Sequence, residues 1–313
     1  MKYSLVFLLL SFLPAIHCLQ AQQARQSHPA SQAFQMITIP NTLTEPKERA
    51  IYLVEHYWDN FDFQDTSYID KPETLEQALV DYLDLARYVP SDTMATSVTA
   101  LMTQAERNGS LFRHLASLME KYLYTPESAL KNEELFIPVL RSVIRSPQMS
   151  EVDKIRPSHL LELVLKNRIG STASDFQYIS IEGQSGHLHG LESDYTLLLF
   201  YDPDCHDCQA LIRQLSASFL IHRLSRDNRL KIVALYPNED IEAWKAYGPL
   251  IPEEWINAYD SHQSILNEEI YDLKATPLLY LLDKEKKVLL KDATFQQIED
   301  YLREAPQRQT SGA

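Results

Sequence analysis

The 313-residue chain is 45% hydrophobic with 7 Gly and 16 Pro, the make-up of an ordinary folded protein long enough for two domains. Its 43 acidic residues against 29 Lys and Arg give a formal net charge of -14, a surface that repels nucleic acid and anionic lipid and so excludes polyanion-binding classes. With only 3 Cys, it is not a disulfide-scaffold protein either.

The first segment, MKYSLVFLLLSFLPAIHCLQAQQ, has one basic residue, Lys2, an apolar core over residues 3–16, and the small residue Ala21 before polar sequence takes over. This predicts a secretory signal over residues 1–21. Its core is shorter than the ~20 residues a spanning helix needs, and no other stretch approaches that length without charges, so no membrane span is expected. An exported, periplasmic chain sits in an oxidising compartment, where a disulfide is ordinary. Cys18 leaves with the signal, and lipoprotein anchoring through it is disfavoured by His17 and Ala15, which stand where such signals carry a small residue and a leucine.

Residues 22–40, rich in Gln, Ser, Ala and Pro without a sustained period, are predicted to be a linker. From residue 41 to 167 the pattern is helical. Thr44 can cap, Pro46 suits a first turn, and Ile51, Leu53, Val54, Tyr57 and Trp58 recur at three- and four-residue spacings. Comparable patterns fill 73–89, 92–108, 110–123, 132–145 and 158–166, separated by turns bearing Pro72, Pro90, Gly109, Pro126 and Pro147. Between the first two lies WDNFDFQDT; its Asp59, Asp62 and Asp65 lack the glycine and closing glutamate of a calcium loop, and a solvated loop is expected.

Past Gly170 the rhythm changes to strand period, and residues 168–305 are predicted to form a second domain, followed by a polar tail, 306–313. Phe176, Tyr178, Ile179 and Ile181 suggest a strand, and EGQSG a hairpin turn. The apolar run 195–201 reads as a central strand covered on both faces. A helix follows over about 205–224, a buried strand over 230–236, and a helix near 240–247, a succession that implies parallel pairing. ATPLLYLLDKEKKVLLKDATFQQIEDYLREA then gives strands 278–282 and 287–291 and a last helix that Thr294 can cap.

The stretch YDPDCHDCQALIRQL puts Cys205 and Cys208 where the central strand turns into the helix. Free N–H groups and the helix dipole there favour a thiolate, which makes Cys205 the candidate nucleophile. Cys208, three residues on, is close enough to attack a mixed disulfide at Cys205 and is the candidate resolving thiol. Two other readings stay open: a structural disulfide, and a metal clip using His206 or the His187-x-His189 pair, which would share one strand face. Trp244, Trp255 and Tyr259 could rim a substrate groove, although such aromatics are more often packing residues. No Ser-His-Asp elbow, phosphate loop, dinucleotide fingerprint or HExxH is present, so no cofactor is expected.

Strand, CxxC, helix, then Thr276-Pro277 leading into a strand hairpin and a last helix resembles the thioredoxin superfamily. GSTASDFQYISIEGQSGHLHGLESDYTLLLFYDPDC resembles the extra N-terminal hairpin of its exported TlpA-like branch, and ERAIYLVEHYWDNFDFQDT resembles the DUF5106 domain found ahead of such modules in Bacteroidetes. The resemblance implies an α/β thioredoxin-like fold, a central mixed sheet flanked by helices, behind an all-α domain. It also implies thiol-disulfide exchange with protein thiols or disulfides, supplied by an electron donor or acceptor that the sequence does not name. Pro277 matches the family's cis-proline, and Thr276 would offer its backbone to the substrate. Three departures stand out: Asp204 replaces the aromatic residue usual before the first cysteine, His206 and Asp207 form an unusual intervening dipeptide, and Leu199 replaces a buried acid. His206 would favour the Cys205 thiolate, and Asp204 and Asp207 oppose it.

Overall fold

The structure is a computed structural model that describes residues 34–70 and 72–310. The predicted signal, Cys18, the first part of the linker and the end of the polar tail lie outside the described residues.

The first half is built from α1 (Pro46–His56), α2 (Ser67–Asp70), α3 (Pro72–Asp84), α4 (Ser91–Ala105), α5 (Gly109–Leu123), α6 (Glu133–Arg145) and α7 (Glu151–Val164). Helix starts follow local chemistry. Asn108 Oδ1 accepts from the amides of Ser110 and Leu111 at 3.1 and 3.2 Å, and Asn132 Oδ1 from Leu135 N at 3.3 Å, satisfying donors that a helix start leaves free. One apolar cluster joins the helices, with Leu79, Met94, Phe112, Leu115 and Val164 fully buried.

Several details differ from expectation. Thr44 does not cap α1; Glu45 stands at that position with no side-chain cap. Helix α7 begins at Glu151 rather than 158, because Ser150 Oγ caps Asp153 N at 3.2 Å and the helix continues through Pro157. Phe34, within the expected linker, stacks on Tyr57 with centroids 5.2 Å apart and meets Trp58 edge-on at 5.3 Å, so this end of the linker packs on the helical core. In WDNFDFQDT, Trp58, Phe61 and Phe63 are buried, while Asp62 and Asp65 accept from Gln64 N and Ser67 N at 2.9 Å each, the backbone turns such side chains favour.

The second half holds one seven-stranded mixed sheet in the order β2-β1-β5-β4-β3-β6-β7. Its strands are β1 (Gln177–Ser180), β2 (Ser185–His187), β3 (Tyr195–Phe200), β4 (Leu230–Tyr236), β5 (Ile256–Tyr259), β6 (Leu278–Asp283) and β7 (Val288–Lys291). Strands β3, β4 and β5 run parallel, β6 is antiparallel to β3, and β7 to β6. Strand β5 is unexpected from the sequence; four residues between Trp255 and Asp260 carry too little period to register.

Strand β3 is buried on both faces. Leu197 and Leu199 face one core with Ile212, Ile221 and Leu302, and Leu198 and Phe200 face the other with Phe176 and Tyr271, the two-residue alternation of a central strand. The helix expected over 205–224 is two helices, α8 (His206–Ala217) and α9 (Phe219–Arg226), divided at Ser218, whose Oγ accepts from Ile221 N at 3.3 Å and caps the second. Helix α10 (Ile241–Tyr247) is capped by Asp240, α11 (Ser264–Asn267) is one turn, and α12 runs Phe295–Thr310, continuing into the stretch read as a tail. Thr294 and Gln297 cap α12 reciprocally, Thr294 N donating to Gln297 Oε1 at 2.8 Å and Gln297 N to Thr294 Oγ1 at 3.3 Å.

Candidate active site around Cys205 and Cys208

The parallel strands β3 and β4 end side by side, and the chain leaving β3 turns at once into α8. Asp202 shapes that turn: its carbonyl accepts from Cys205 N at 3.1 Å, and its Oδ1 from Asp204 N at 3.0 Å. Asn238, beyond β4, donates to Asp202 Oδ2 at 2.7 Å and anchors the turn to the next strand.

Cys205 is the N-cap residue of α8, and its Sγ accepts from Cys208 N at 3.0 Å. The two cysteines are joined as a disulfide with Cα atoms 5.2 Å apart. Cys208, in the first turn of α8, is fully buried on the helix's inner face, whereas Cys205 is half-buried at the surface. When the pair is reduced, the same amide and the helix dipole would stabilise a Cys205 thiolate.

The Thr276–Pro277 peptide bond is cis, and Thr276 O lies 3.4 Å from Cys205 Sγ. Residues separated by 71 positions thus meet at the disulfide. Asp204, His206 and Asp207 lie on the same turn but face solvent; the side chains of His206 and Asp207 are 87% and 85% exposed, with Nδ1 and Oδ1 3.6 Å apart.

The position of the absent acid, Leu199, is buried. Polar groups nearby belong instead to Tyr201, whose hydroxyl donates to Asn257 Oδ1 at 2.8 Å, and to Trp244, whose Nε1 donates to the same oxygen at 2.9 Å. Burial holds the Tyr201 hydroxyl well above the usual phenol range. Trp244 and Trp255 are buried packing residues, and Tyr259 packs edge-on against Trp244 at 4.9 Å.

The His187 and His189 pair does not share a strand face. His187 ends β2, while His189 lies in a short 3-10 turn, and both are held by Asp175: His187 Nδ1 lies 2.9 Å from Oδ2, and His189 N donates to Oδ1 at 2.9 Å. His189 Nε2 faces Ala173 O at 2.7 Å. Among the described residues no group of three or more His, Cys, Asp or Glu is arranged to hold a metal.

The structure adds residues that sequence reasoning did not single out. Between the two halves, Lys274 meets Glu133 Oε1 in an ion pair and lies 3.4 Å from Asp292 Oδ2, with its Nζ 4.4 Å from the Tyr124 ring centroid. Lys291 Nζ is 2.6 Å from Glu133 Oε2 and donates to Lys166 O at 2.7 Å, and Lys131 Nζ is 2.7 Å from Asp292 Oδ1. The Tyr124 hydroxyl donates to Asp272 at 3.0 Å. A cleft of about 290 Å³ opens beside this seam. Lys274 and Lys291 line its floor yet are, like Asp272, largely shielded from water, being 6%, 7% and 5% exposed in that order. Burial pushes the Asp272 carboxyl up, in spite of the neighbouring Lys274.

A central mixed sheet with a cysteine pair at the mouth of β3, facing a cis-proline loop, defines a thioredoxin-like protein. The chain belongs to the thioredoxin superfamily and carries ahead of that fold a DUF5106 domain, a domain of unknown function matched over residues 17–167. A solved thioredoxin-like protein from Bacteroides caccae ATCC 43185 is 42% identical over 88% of this chain and 99% of its own, with a TM-score of 0.85. The C-terminal domain of an uncharacterized protein from Bacteroides fragilis NCTC 9343 is 43% identical over 44% of this chain and 98% of its own, with a TM-score of 0.43. A domain of a possible thiol-disulfide isomerase from Cytophaga hutchinsonii ATCC 33406 is 24% identical over 47% of this chain and 99% of its own, with a TM-score of 0.41. No curated protein matches the chain.

Proposed function

We propose that this chain is an exported, periplasmic thiol-disulfide oxidoreductase that exchanges disulfides with protein substrates. The reading rests on one juxtaposition: a half-buried sulfur at a helix N-cap, 3.4 Å from the backbone oxygen of a cis-proline loop, with its disulfide partner fully buried behind it. A sulfur that reaches the surface can be attacked or can attack a substrate; one buried behind it can only resolve.

Acting as a reductant, the Cys205 thiolate attacks one sulfur of a substrate disulfide, and the other substrate sulfur leaves as a thiolate that takes a proton from water. Cys208, giving its thiol proton back to water, then attacks Cys205 Sγ and expels the second substrate sulfur as a thiolate. Two electrons pass to the substrate, and the pair closes to the disulfide. A dithiol donor in the same compartment must then return two electrons. In the opposite direction the disulfide accepts them from substrate thiols, and an electron acceptor takes them onward. Thr276 and Pro277 would border the substrate chain, and Asp204, His206 and Asp207 would tune the thiol from the solvent side.

Cys208→Ser leaves attack possible but removes the resolver, so exported protein should accumulate covalent, reductant-sensitive adducts that Cys205→Ser does not. Acid-quenched, alkylated samples on non-reducing gels read this directly. Equal adducts in both variants, or none in either under oxidising conditions, would overturn the assignment.

A further inference from the structure

The segment leading to the cis-proline is held from two sides. On the helical side, Lys166 Nζ donates to Glu269 O at 2.8 Å, Asn167 Nδ2 to Ile270 O at 2.7 Å, and the Tyr124 hydroxyl to Asp272; Glu133 then pairs with Lys274. On the sheet side, Tyr271 is buried, donates its hydroxyl to Ser174 O at 2.7 Å, and packs against Phe200 and Tyr280 with centroids 5.0 and 5.3 Å away; Leu273 packs on the same core. The side chains of Asp272 and Lys274 therefore face the helical half, those of Ile270, Tyr271 and Leu273 pack on the sheet core, and two residues further on Thr276 O faces Cys205 Sγ.

That arrangement gives the helical half a mechanical connection to the disulfide. The backbone from 268 to 274 has no strand partner, so its course depends on these side-chain and carbonyl contacts. The Glu133–Lys274 pair is the last grip before Thr276, and it is well shielded from water, where a charge pair is neither screened nor easily replaced. Glu133 itself sits in the first turn of α6, held by the Asn132 cap, so the position of its carboxylate is set by a rigid helix rather than a loop.

Building on the exchange reaction proposed above, we propose that Glu133 and Lys274 are positioning residues: gripping the segment before the cis-proline from the helical half, they hold the Thr276 backbone where a polypeptide substrate must dock beside Cys205. Neither touches the reacting sulfurs. A substrate that needs the loop's backbone depends on them, and a small disulfide that needs only Cys205 does not.

The test uses full-length Glu133→Gln, Lys274→Met and Lys274→Arg, with Glu76→Gln, which breaks a pair with Lys121 inside the helical half, as control. Substrates are insulin and a low-mass aromatic disulfide. Glu133→Gln and Lys274→Met should raise KM for insulin by about fivefold or more with kcat within about twofold, and leave the small-disulfide rate within about twofold. Lys274→Arg, which keeps a cation, and Glu76→Gln should stay near the native values. In parallel, amide exchange at Lys274, Ala275 and Thr276 should quicken by about tenfold in Glu133→Gln and Lys274→Met, with β3 unchanged. If Lys274→Met does not fold, Tyr124→Phe, which removes only the hydroxyl bonded to Asp272, is read on the same scales. A parallel fall with both substrates, a loss confined to kcat, or native KM and native amide exchange would overturn the proposal. Should the native chain reduce neither substrate, the exchange reaction itself fails, and the positioning role is judged on amide exchange alone: unchanged rates in Glu133→Gln reject it.

Discussion

At the Cys205 turn the polar side chains stand in water, His206 and Asp207 being 87% and 85% exposed. At the seam around Glu133 they are withdrawn from it, and three lysines, 131, 274 and 291, meet Glu133, Asp272 and Asp292 in a balanced set. Both regions bear on the same loop, one through Thr276 and the other through Lys274. The contrast separates two uses of charge. Exposed charges adjust a neighbour's chemistry weakly and are screened by salt, whereas buried, paired charges fix geometry and punish the loss of one partner.

The seam should therefore give the largest response. Replacing Glu133 by Leu leaves Lys274 and Lys291 without their shared acid in a buried site, and breaking such a set from one side costs about 3–5 kcal/mol. Urea unfolding should show that loss, and Glu133→Leu combined with Lys274→Met should recover part of it, because two apolar side chains leave fewer uncompensated charges than one. A native urea midpoint in Glu133→Leu would mean that the seam does not hold the halves together in solution.

A smaller effect at the same place appears with pH. Burial acts to lower the Lys274 ammonium's pKa, but Glu133, Asp292 and Asp272 outweigh it and hold the group above the ordinary lysine value. A raised folded value means that the contribution is fully present below the unfolded-chain lysine pKa of about 10.4 and is lost as pH rises through the folded one. The stability gap between the native chain and Lys274→Met should hold steady up to about pH 10 and narrow above it. A gap that closes between pH 5 and 8 instead would assign it to some other group.

What was legible in the sequence follows the same division. Local period carried the helices of the first half, the doubly buried β3 and the cysteine turn, because each is written in residues a few positions apart. The α7 start was hidden by Pro157, which reads as a break although Ser150 caps a helix that runs through it. Phe34 looked like part of a polar linker because its partners, Tyr57 and Trp58, lie on another element. The seam could not be seen at all: Lys274 and Glu133 are 141 residues apart, and each, taken locally, is one more charge in a polar stretch. The site was readable where a turn makes it and invisible where two domains do.

The smallest expected effect belongs to the exposed turn. Asp204 and Asp207 put negative charge beside Cys205, which disfavours a second negative charge on its sulfur, while the α8 N-terminus favours it. Replacing either by Asn removes the repulsion and keeps the size, so the pH midpoint of Cys205 alkylation in the reduced protein should move lower. The shift should stay under about one pH unit, because exposed charge pairs contribute about 0–1 kcal/mol and one unit corresponds to about 1.4 kcal/mol. It should also shrink as salt is raised from about 0.01 M to 1 M, since the screening length falls from about 30 to 3 Å. Alkylation rate against pH at both ionic strengths measures this in Asp204→Asn and Asp207→Asn. A midpoint that moves higher, or a shift as large at high salt as at low, would show that the turn's acids act through bonds to the backbone rather than through space, as Asp202 already does toward Asp204 N.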